Sequence, residues 1–222
     1  MRKCFLSKSL YLDGIKCLKL VWFRINAPEQ IPVVDKKTQA TFDFGHWIGE
    51  KAKRLFPKGA DANMGLSFQK HLEKSLELLE KRMPIFEAGF ISDGDYARAD
   101  VLDPVKDNKW DIVEVKCGRS VADVNCHDIA FQRHCYTGAG LNINRCYVMH
   151  VAEGIAVRYT PVQDVFEKVD VTAKVEEYSE GIGEKIAGIR GAVSSKECPA
   201  ICTGEHCDKP YGCVMKPFCH VA

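Results

Sequence analysis

Two stretches, YARADVLD at residues 96–103 and WDIVEVK at residues 110–116, decide the fold of this chain. WDIVEVK is rich in the aromatic and β-branched residues typical of strands, YARADVLD predicts the strand before it, and residues 104–109 between them predict a turn. The preceding IFEAGFIS, at residues 85–92, predicts another strand, and Asp93-Gly94 is a strong hairpin signal. We therefore expect three consecutive strands joined by two tight turns.

Asp100, Glu114 and Lys116 are the charged residues of these strands that suggest chemistry. Alternation along a strand puts Glu114 and Lys116 on one face, roughly 7 Å apart, and the turn brings Asp100 alongside. Two carboxylates can hold Mg²⁺ or Mn²⁺, and an ammonium can orient or deprotonate water and neutralise charge on phosphorus. The pattern favours metal-dependent phosphodiester hydrolysis. The alternative is a solvent-facing salt-bridge ladder, although the apolar neighbours predict central strands, where unpaired charge is costly.

The rest of the sequence predicts helices around these strands, together with one more strand pair. Apolar periodicity indicates the helices, a polar stretch containing two prolines indicates a loop, and Glu153-Gly154 indicates a turn. The predicted helices cover 6–24, 43–56, 64–82, 123–137 and much of 161–190, the loop covers 25–42, and the strand pair covers 145–151 and 155–160.

Some predicted helices carry polar residues suited to a site. Gln132 and Tyr136 are four residues apart, so they share a helix face and offer hydrogen bonds to a phosphate, a base or a metal-bound water. Glu50 lies four residues after His46 and is a candidate third acidic ligand. The alternative for all of them is the solvent-facing side of an ordinary amphipathic helix.

Composition limits the type of partner and the compartment. The chain has 31 basic and 30 acidic side chains and a net charge of +1, so a polyanion would have to be bound by a local patch. No stretch approaches the ~20 apolar residues of a membrane span, and no apolar signal region opens the sequence. We therefore expect a cytoplasmic protein with no membrane partner. In that compartment, 11 cysteines indicate metal binding more than disulfides.

The order and spacing of these motifs resemble the PD-(D/E)xK nucleases, specifically their RecB-like iron–sulfur exonuclease branch, which includes CRISPR-associated exonucleases and the AddB nuclease domain. The resemblance runs from about residue 6 to 219 and includes the phrases RADVLD, DIVEVKC and DIAFQRHCYTGAGL. It implies an α/β, restriction-endonuclease-like core with a central mixed β-sheet flanked by helices. We expect a single domain over 1–222, with a helical part to about 84, the core over about 85–160, and a helical, cysteine-rich part from about 161.

The resemblance also implies a role for each motif residue. The catalytic set would be Asp100, Glu114, Lys116, Gln132 and Tyr136, and the ligands of Mg²⁺ or Mn²⁺ would be Glu50, Asp100, Glu114 and Val115. Glu87 matches a recurrent acid of the preceding strand. Relatives often carry a metal-binding histidine where this chain has Gly49, and His46, one turn away, is the candidate substitute.

Cysteines near both chain ends extend the resemblance. Cys207, Cys213 and Cys219 have C-x5-C-x5-C spacing, and in iron–sulfur relatives such a triplet combines with a cysteine near the N-terminus, a place that Cys17 fits. The resemblance therefore implies a [4Fe–4S] cluster that joins the N- and C-terminal segments. Zn²⁺ is the alternative metal. The alternative ligands are Cys198, Cys202, His206 and His220, and the residues predicted as small buried hydrophobes are Cys4, Cys117, Cys126, Cys135 and Cys146.

The motifs and the resemblance together predict a metal-dependent DNA nuclease. The expected activity is exonucleolytic, on DNA ends or single strands, as in CRISPR prespacer processing or DNA repair, where proteins of those pathways would be partners. Two alternatives are a non-catalytic iron–sulfur or zinc module that binds nucleic acid, and an RNA-directed nuclease. The sequence indicates neither cleavage polarity nor an oligomeric state.

Overall fold

The computed structural model describes residues 5–219, and a mixed seven-stranded sheet lies at its centre. The strand order is β2-β3-β4-β5-β6-β7, and β1 pairs with the start of β4. The strands are β1 (Leu6–Ser7), β2 (Ala60–Asp61), β3 (Ile85–Ser92), β4 (Asp95–Val105), β5 (Lys109–Lys116), β6 (Asn142–Val151) and β7 (Phe166–Asp170).

Strand directions confirm the predicted centre of the sheet. β3, β4 and β5 are consecutive and antiparallel, whereas β5 and β6 are parallel and are connected through α5. The α/β class and the mixed sheet flanked by helices, as expected of a restriction-endonuclease-like core, are therefore confirmed. The helices are α1 (Lys8–Lys16), α2 (Leu18–Asn26), α3 (Lys36–Lys53), α4 (Phe68–Glu80), α5 (Asp123–Gly138), α6 (Thr172–Ser179) and α7 (Ile182–Ser194).

Helices cover both faces of the sheet. The larger core joins α1, α5 and α7 to one face, with Tyr11, Phe131 and Ile189 almost fully buried. The smaller core lies on the opposite face, where Ala52 of α3 packs against Val113 of β5. β5 therefore separates two apolar layers, and its side chains alternate between them. Within residues 5–219, no helix has the length and apolar character needed to cross a membrane.

Two helix predictions were wrong in their bounds. The helix predicted from residue 6 is interrupted at Cys17, which is extended with φ −163° and ψ 118° and separates α1 from α2. The helix predicted from residue 43 begins at Lys36, where the Asp35 side chain accepts a hydrogen bond from the Thr38 N–H at 2.7 Å. Apolar periodicity missed this first half of α3 because most of its side chains are exposed.

The strand predicted at 155–160 was also wrong. The partner of β6 is β7, which lies inside the region predicted to be helical. Carbonyl groups of the predicted strand are occupied by basic side chains: Lys51 Nζ donates to Val157 O at 2.9 Å, and Arg119 donates to Ile155 O at 3.2 Å. These contacts hold the segment as a loop against α3.

A break in the alternation of β4 positions Asp100. Ala99 packs in the larger core, but Val101 packs in the smaller core on the opposite face, whereas residues two apart in a regular strand share a face. Glu87, opposite this break on β3, has φ +56°, a conformation that is unfavourable for a residue with a side chain. Because of the break, Asp100 and Glu87 line the same cavity.

The C-terminal segment lies against α1 and α2. Lys19 Nζ donates to Ile201 O at 3.2 Å, and Trp22 Nε1 donates to Ser195 O at 3.0 Å. Lys16 Nζ donates to the carbonyls of Lys209, at 3.1 Å, and Tyr211. The two ends of the described chain therefore meet through direct protein contacts.

Tyr136 connects β3 and β4 from behind the sheet, and this generates a first prediction. Its hydroxyl donates to Ala88 O at 2.6 Å and accepts from the Ala99 N–H at 2.7 Å, and the side chain is fully buried. We expect Tyr136→Phe to lower the free energy of unfolding by about 1–3 kcal/mol, because two buried backbone groups lose their partner. Urea unfolding measures this loss.

The matched control is Tyr159→Phe, because Tyr159 is 84% exposed. We expect that variant to remain within about 0.5 kcal/mol of the wild type. Equal stability of the two variants would contradict a bridging role for the Tyr136 hydroxyl.

Candidate active site

Glu114 of β5 is the buried centre of the candidate site. Its side chain is only 3% exposed. Oε1 accepts from Lys116 Nζ at 2.7 Å and from Lys8 Nζ at 3.0 Å, and Oε2 accepts from Gln132 Nε2 at 2.7 Å. The interpretation of this strand as a solvent-facing salt-bridge ladder is therefore wrong.

Asp128 of α5 is a second buried carboxylate at the site, and the sequence prediction missed it. It accepts from Lys116 Nζ at 2.9 Å and from Gln132 Nε2 at 2.8 Å, and it pairs with Lys8 Nζ at 3.2 Å. A signal was available, because Asp128 is four residues before Gln132 and shares its helix face. Asp128 thus holds the ammonium group of Lys116, a residue of β5, from the side of α5.

Lys8 is the other residue that the sequence did not indicate. It is the first residue of α1, directly after Ser7, whose side chain caps the helix. β1 pairs in parallel with β4 at Asp95 and Tyr96, which places the start of α1 beside the sheet. Lys8 therefore reaches Glu114 and Asp128 only through tertiary structure, over a separation of more than a hundred residues from Glu114.

Asp100 and Val115 connect the two strands of the site directly. Asp100 Oδ2 accepts the backbone N–H of Val115 at 2.7 Å, just beyond the last β4–β5 pair, Val101–Val113. The carboxylate therefore continues the ladder where backbone pairing stops. Asp100, Glu114, Val115 and Lys116 all line one cavity of about 650 Å³, so the structure brings these predicted residues together.

Glu50 lines the same cavity but does not contact Glu114 or Asp100. Its side chain is 70% exposed and pairs with Lys53 Nζ at 2.6 Å. Lys53 also pairs with Asp61 at 2.8 Å. Glu50 lies on the cavity wall formed by α3, together with His46 and Gly49.

Of Gln132 and Tyr136, the two predicted site residues of α5, only Gln132 contacts the carboxylates of Glu114 and Asp128. Tyr136 lies one turn further along α5 and contacts the backbone of Ala88 and Ala99 instead, next to Asp100. Tyr136 therefore supports the strand that carries Asp100.

The charges of the site shift one another's pKa values. Burial raises the pKa of Glu114 to about 7, with a further increase from the carboxylates of Asp100 and Asp128. Burial also raises the pKa of Asp100, despite the opposing effect of Lys8 and Lys116. For Lys116, burial favours the neutral amine, but the carboxylates of Asp128 and Glu114 dominate and raise its pKa well above 10.5. Lys116 is thus held as an ammonium ion.

The donor set fits a hard divalent cation. Carboxylate and carbonyl oxygens are the ligands that Mg²⁺ prefers. Gln132 Oε1 is buried and has no hydrogen-bond partner within residues 5–219, and such an orphaned acceptor is typical of a site that binds water or an ion. Over the same residues, no three His, Cys, Asp or Glu side chains are arranged as a metal site, either at the carboxylates or at the cysteines. At the carboxylates, Lys8 and Lys116 occupy Glu114 Oε1.

The predicted cluster cysteines lie near one another at the junction of the chain ends. Cys219 interacts electrostatically with Cys213, Cys17 and Cys207, and burial, the largest effect, together with these thiols raises its pKa. Cys198 interacts with Cys17 in the same way, whereas Cys202 is exposed. Of the remaining cysteines, Cys126, Cys135 and Cys146 are buried as predicted, Cys117 is half-buried, and Cys4 and His220 lie outside the described residues.

Comparisons with known proteins give no family assignment. No family model and no curated protein sequence match the chain. Among solved structures, the chain is similar to an alkaline exonuclease from Laribacter hongkongensis, with a TM-score of 0.38 and 12% identity over 87% of this chain and 91% of that chain. It is also similar to a protein designated SSO0001, with a TM-score of 0.33 and 10% identity over 82% of this chain and 97% of that chain. At these scores and identities, the function has to be argued from the site.

The raised pKa of Glu114 predicts how stability depends on pH in metal-free protein. The folded state keeps a proton up to about pH 7, whereas the unfolded chain releases it near the ordinary value of 4.5. The folded state therefore binds more protons between these values, and the contribution of Glu114 to stability falls as pH rises through them. As pH rises from about 5 to about 7, we expect the unfolding free energy of the wild type to fall relative to that of Glu114→Gln by on the order of 1 kcal/mol.

Denaturant unfolding in the presence of a chelator measures this difference at each pH. Glu153→Gln is the matched control, because Glu153 is exposed on a turn. A difference between Glu114→Gln and the wild type that does not change with pH would contradict the prediction.

Proposed function

We propose that this protein is a divalent-metal-dependent nuclease that hydrolyses DNA at ends or in single strands. One observation carries the proposal: Asp100 and the buried carboxylate of Glu114 share a cavity with Lys116, whose ammonium is fixed between two carboxylates. A structural ion pair needs no such opening to a cavity of about 650 Å³. An arrangement of this kind is suited to binding a phosphate group and stabilising the charge that develops on it.

Each residue has a distinct role in this proposal. When bound, a divalent ion supplies Lewis-acid polarisation of the phosphate and a more acidic water. Asp100, Glu114 and the Val115 carbonyl are the proposed ligands, and Glu50 is a further ligand from the α3 wall. Lys116 acts as a cation that stabilises negative charge on the phosphoryl oxygens. Hydrogen bonds to Glu114 and Asp128 fix the position of this ammonium group.

Gln132 and Asp128 position the residues that act on the substrate. Gln132 Nε2 bridges Glu114 and Asp128 at 2.7 and 2.8 Å, and this fixes the orientation of the Glu114 carboxylate. Asp128 holds both lysines from the helix side. Such preorganisation reduces the reorganisation that the reaction requires.

The charge balance of the site supports a bound divalent cation. Glu50 is exposed and already paired with Lys53, so these two charges cancel. Asp100, Glu114 and Asp128 carry three negative charges when ionised, and Lys8 and Lys116 carry two positive charges, which leaves a net charge of −1. One divalent ion changes this to +1, and the single negative charge of a phosphodiester then neutralises it. Buried charge is tolerated only when it is paired, so this balance favours the complex with both metal and substrate.

We further propose that Cys17, Cys207, Cys213 and Cys219 hold a [4Fe–4S] cluster. The supporting observation is their position where the C-terminal segment meets α1 and α2, with Cys17, Cys207 and Cys213 near enough to Cys219 to raise its pKa. A cluster at this place would add thiolate–iron bonds to the hydrogen bonds that already join the C-terminal segment to α1 and α2. Its proposed role is structural.

Replacement of Lys116 tests the proposed chemistry. We expect Lys116→Met to reduce the rate of DNA cleavage with Mn²⁺ by about 10²-fold or more, because a fixed positive charge at the reacting phosphate is lost. Cleavage is followed on 5′- and 3′-labelled single strands, on blunt duplexes and on RNA of the same sequence.

Lys106→Met is the matched control, because Lys106 is exposed and lines no part of the cavity. Equal cleavage by Lys116→Met and the control would contradict the proposed site. Preferred cleavage of RNA would assign an RNA-directed nuclease. Absence of cleavage by folded wild type on every substrate would favour a binding module.

Anaerobic purification tests the proposed cluster. We expect visible iron–sulfur absorbance and about four iron and four acid-labile sulfide per chain, both lost in Cys219→Ser. Cys202→Ser is the matched control, because Cys202 is exposed and belongs to the alternative ligands, Cys198 and Cys202. Retention of iron and sulfide in this variant distinguishes the proposed ligands from the alternative ones. Stoichiometric zinc without sulfide would contradict the iron–sulfur assignment.

A further inference from the structure

A second cavity adjoins the candidate active site. It has a volume of about 810 Å³ and lies between α1, α5, α7 and the C-terminal segment. Leu12, Val124 and Tyr211 line both this cavity and the one that contains Glu114 and Lys116. The two cavities are therefore neighbours across a shared wall, and any polymer that reaches the carboxylates has a second compartment beside them.

The second cavity has the charge expected of an anion-binding surface. Among the described residues that line it, three are lysines, Lys16, Lys185 and Lys209, and one is acidic, Asp123. Lys185 is exposed on the first turns of α7. Lys209 is 78% exposed and has a carboxylate at 3.5 Å, a weak surface pair that a phosphate can replace. Cations around an apolar cavity suit the phosphates of a polyanion.

Two rings in the second cavity offer surfaces for bases. Tyr211 is 46% exposed at the boundary between the cavities, and Lys16 Nζ lies 4.4 Å from its ring centre. His127 stacks on Tyr178, and its Nδ1 is buried without a hydrogen-bond partner in the described chain. Burial, followed by the effect of Lys185, lowers the pKa of His127, which favours the neutral ring.

We propose that the two cavities form one path for a single strand of nucleic acid, with phosphates on Lys185 and Lys209 and bases against Tyr211 and His127. The path deepens the proposed nuclease function and rests on it. A positively charged groove with aromatic rings is the general means of binding single strands without reading sequence. The volume of about 810 Å³ lies in the range of roughly 300–1,000 Å³ typical of small-molecule pockets, which is a compartment of the size that suits nucleotides of one strand.

Binding measurements test the path directly. The ligand is a fluorescein-labelled single-stranded oligonucleotide, as DNA and as RNA, with a duplex of the same sequence in a third arm and no divalent metal present. We expect Lys185→Glu/Lys209→Glu to raise the single-strand Kd about tenfold and to reduce the salt dependence of log K by about 1–2. Lys70→Glu/Lys106→Glu is the charge-matched control, because both lysines are exposed and line neither cavity. Equal Kd and salt dependence in the two double variants, or an equal loss on the duplex, would overturn the path.

Tyr211 gives an independent test of the same path. We expect Tyr211→Ala to weaken single-strand binding about tenfold, and Tyr211→Phe to retain it, because the ring and not the hydroxyl supplies stacking. Equal binding by the Ala and Phe variants would overturn the stacking role.

Hydrolysis of bis(4-nitrophenyl) phosphate separates failure of the path from failure of the nuclease proposal. This small diester needs the carboxylates but no neighbouring compartment. We expect the lysine double variant to reduce kcat/KM on single strands at least tenfold more than on the diester. Unchanged relative rates, with active wild type, would overturn the path alone. A wild type that hydrolyses neither substrate, while the variants still lose single-strand affinity, would overturn the nuclease function and support the path.

Discussion

Burial of the Glu114 carboxylate is the constraint on which the rest of the site depends. A charged group with so little exposure costs several kcal/mol unless it is paired and hydrogen-bonded. Three elements supply the partners, since Lys8 comes from α1, Lys116 from β5 and Gln132 from α5. The fold must therefore bring these elements to one end of the sheet, and Asp128 must accompany Gln132 to balance the two lysines.

The helix α1 physically connects the site to the cysteine-rich end of the chain. Lys8 at its start contacts Glu114, and Lys16 at its end donates to Lys209 O. Lys8 and Lys16 are the first and last residues of this helix, and the helical rise separates them by about 12 Å. α7 also packs closely against this helix. The close approach is seen at Gly14, where a Cβ would lie 2.6 Å from the Ile189 side chain. Docking of the C-terminal segment thus stabilises the element that delivers Lys8.

The same docking shapes the cavities. Tyr211 belongs to the C-terminal segment, yet it lines the compartment that holds the carboxylates as well as its neighbour. A cluster proposed for stability would therefore also fix a wall of the proposed substrate path. Under these proposals, the cysteine-rich segment would contribute to substrate binding without any redox chemistry.

The sequence by itself determined the central strands and the charged residues that they carry. Turn signals and alternation predicted the bounds of β3, β4 and β5 to within two residues. These signals could be read from the sequence because they act over a few neighbouring positions. Those strands place Asp100, Glu114 and Lys116 together, and Gln132 joins them from one helix face. Tertiary structure alone decided the contributions of Lys8 and the C-terminal segment, since both reach their partners across more than a hundred residues of chain. Tertiary structure also decided the break in the alternation of β4 at Asp100, because a local shift of a strand between two buried faces leaves no periodic pattern in the sequence.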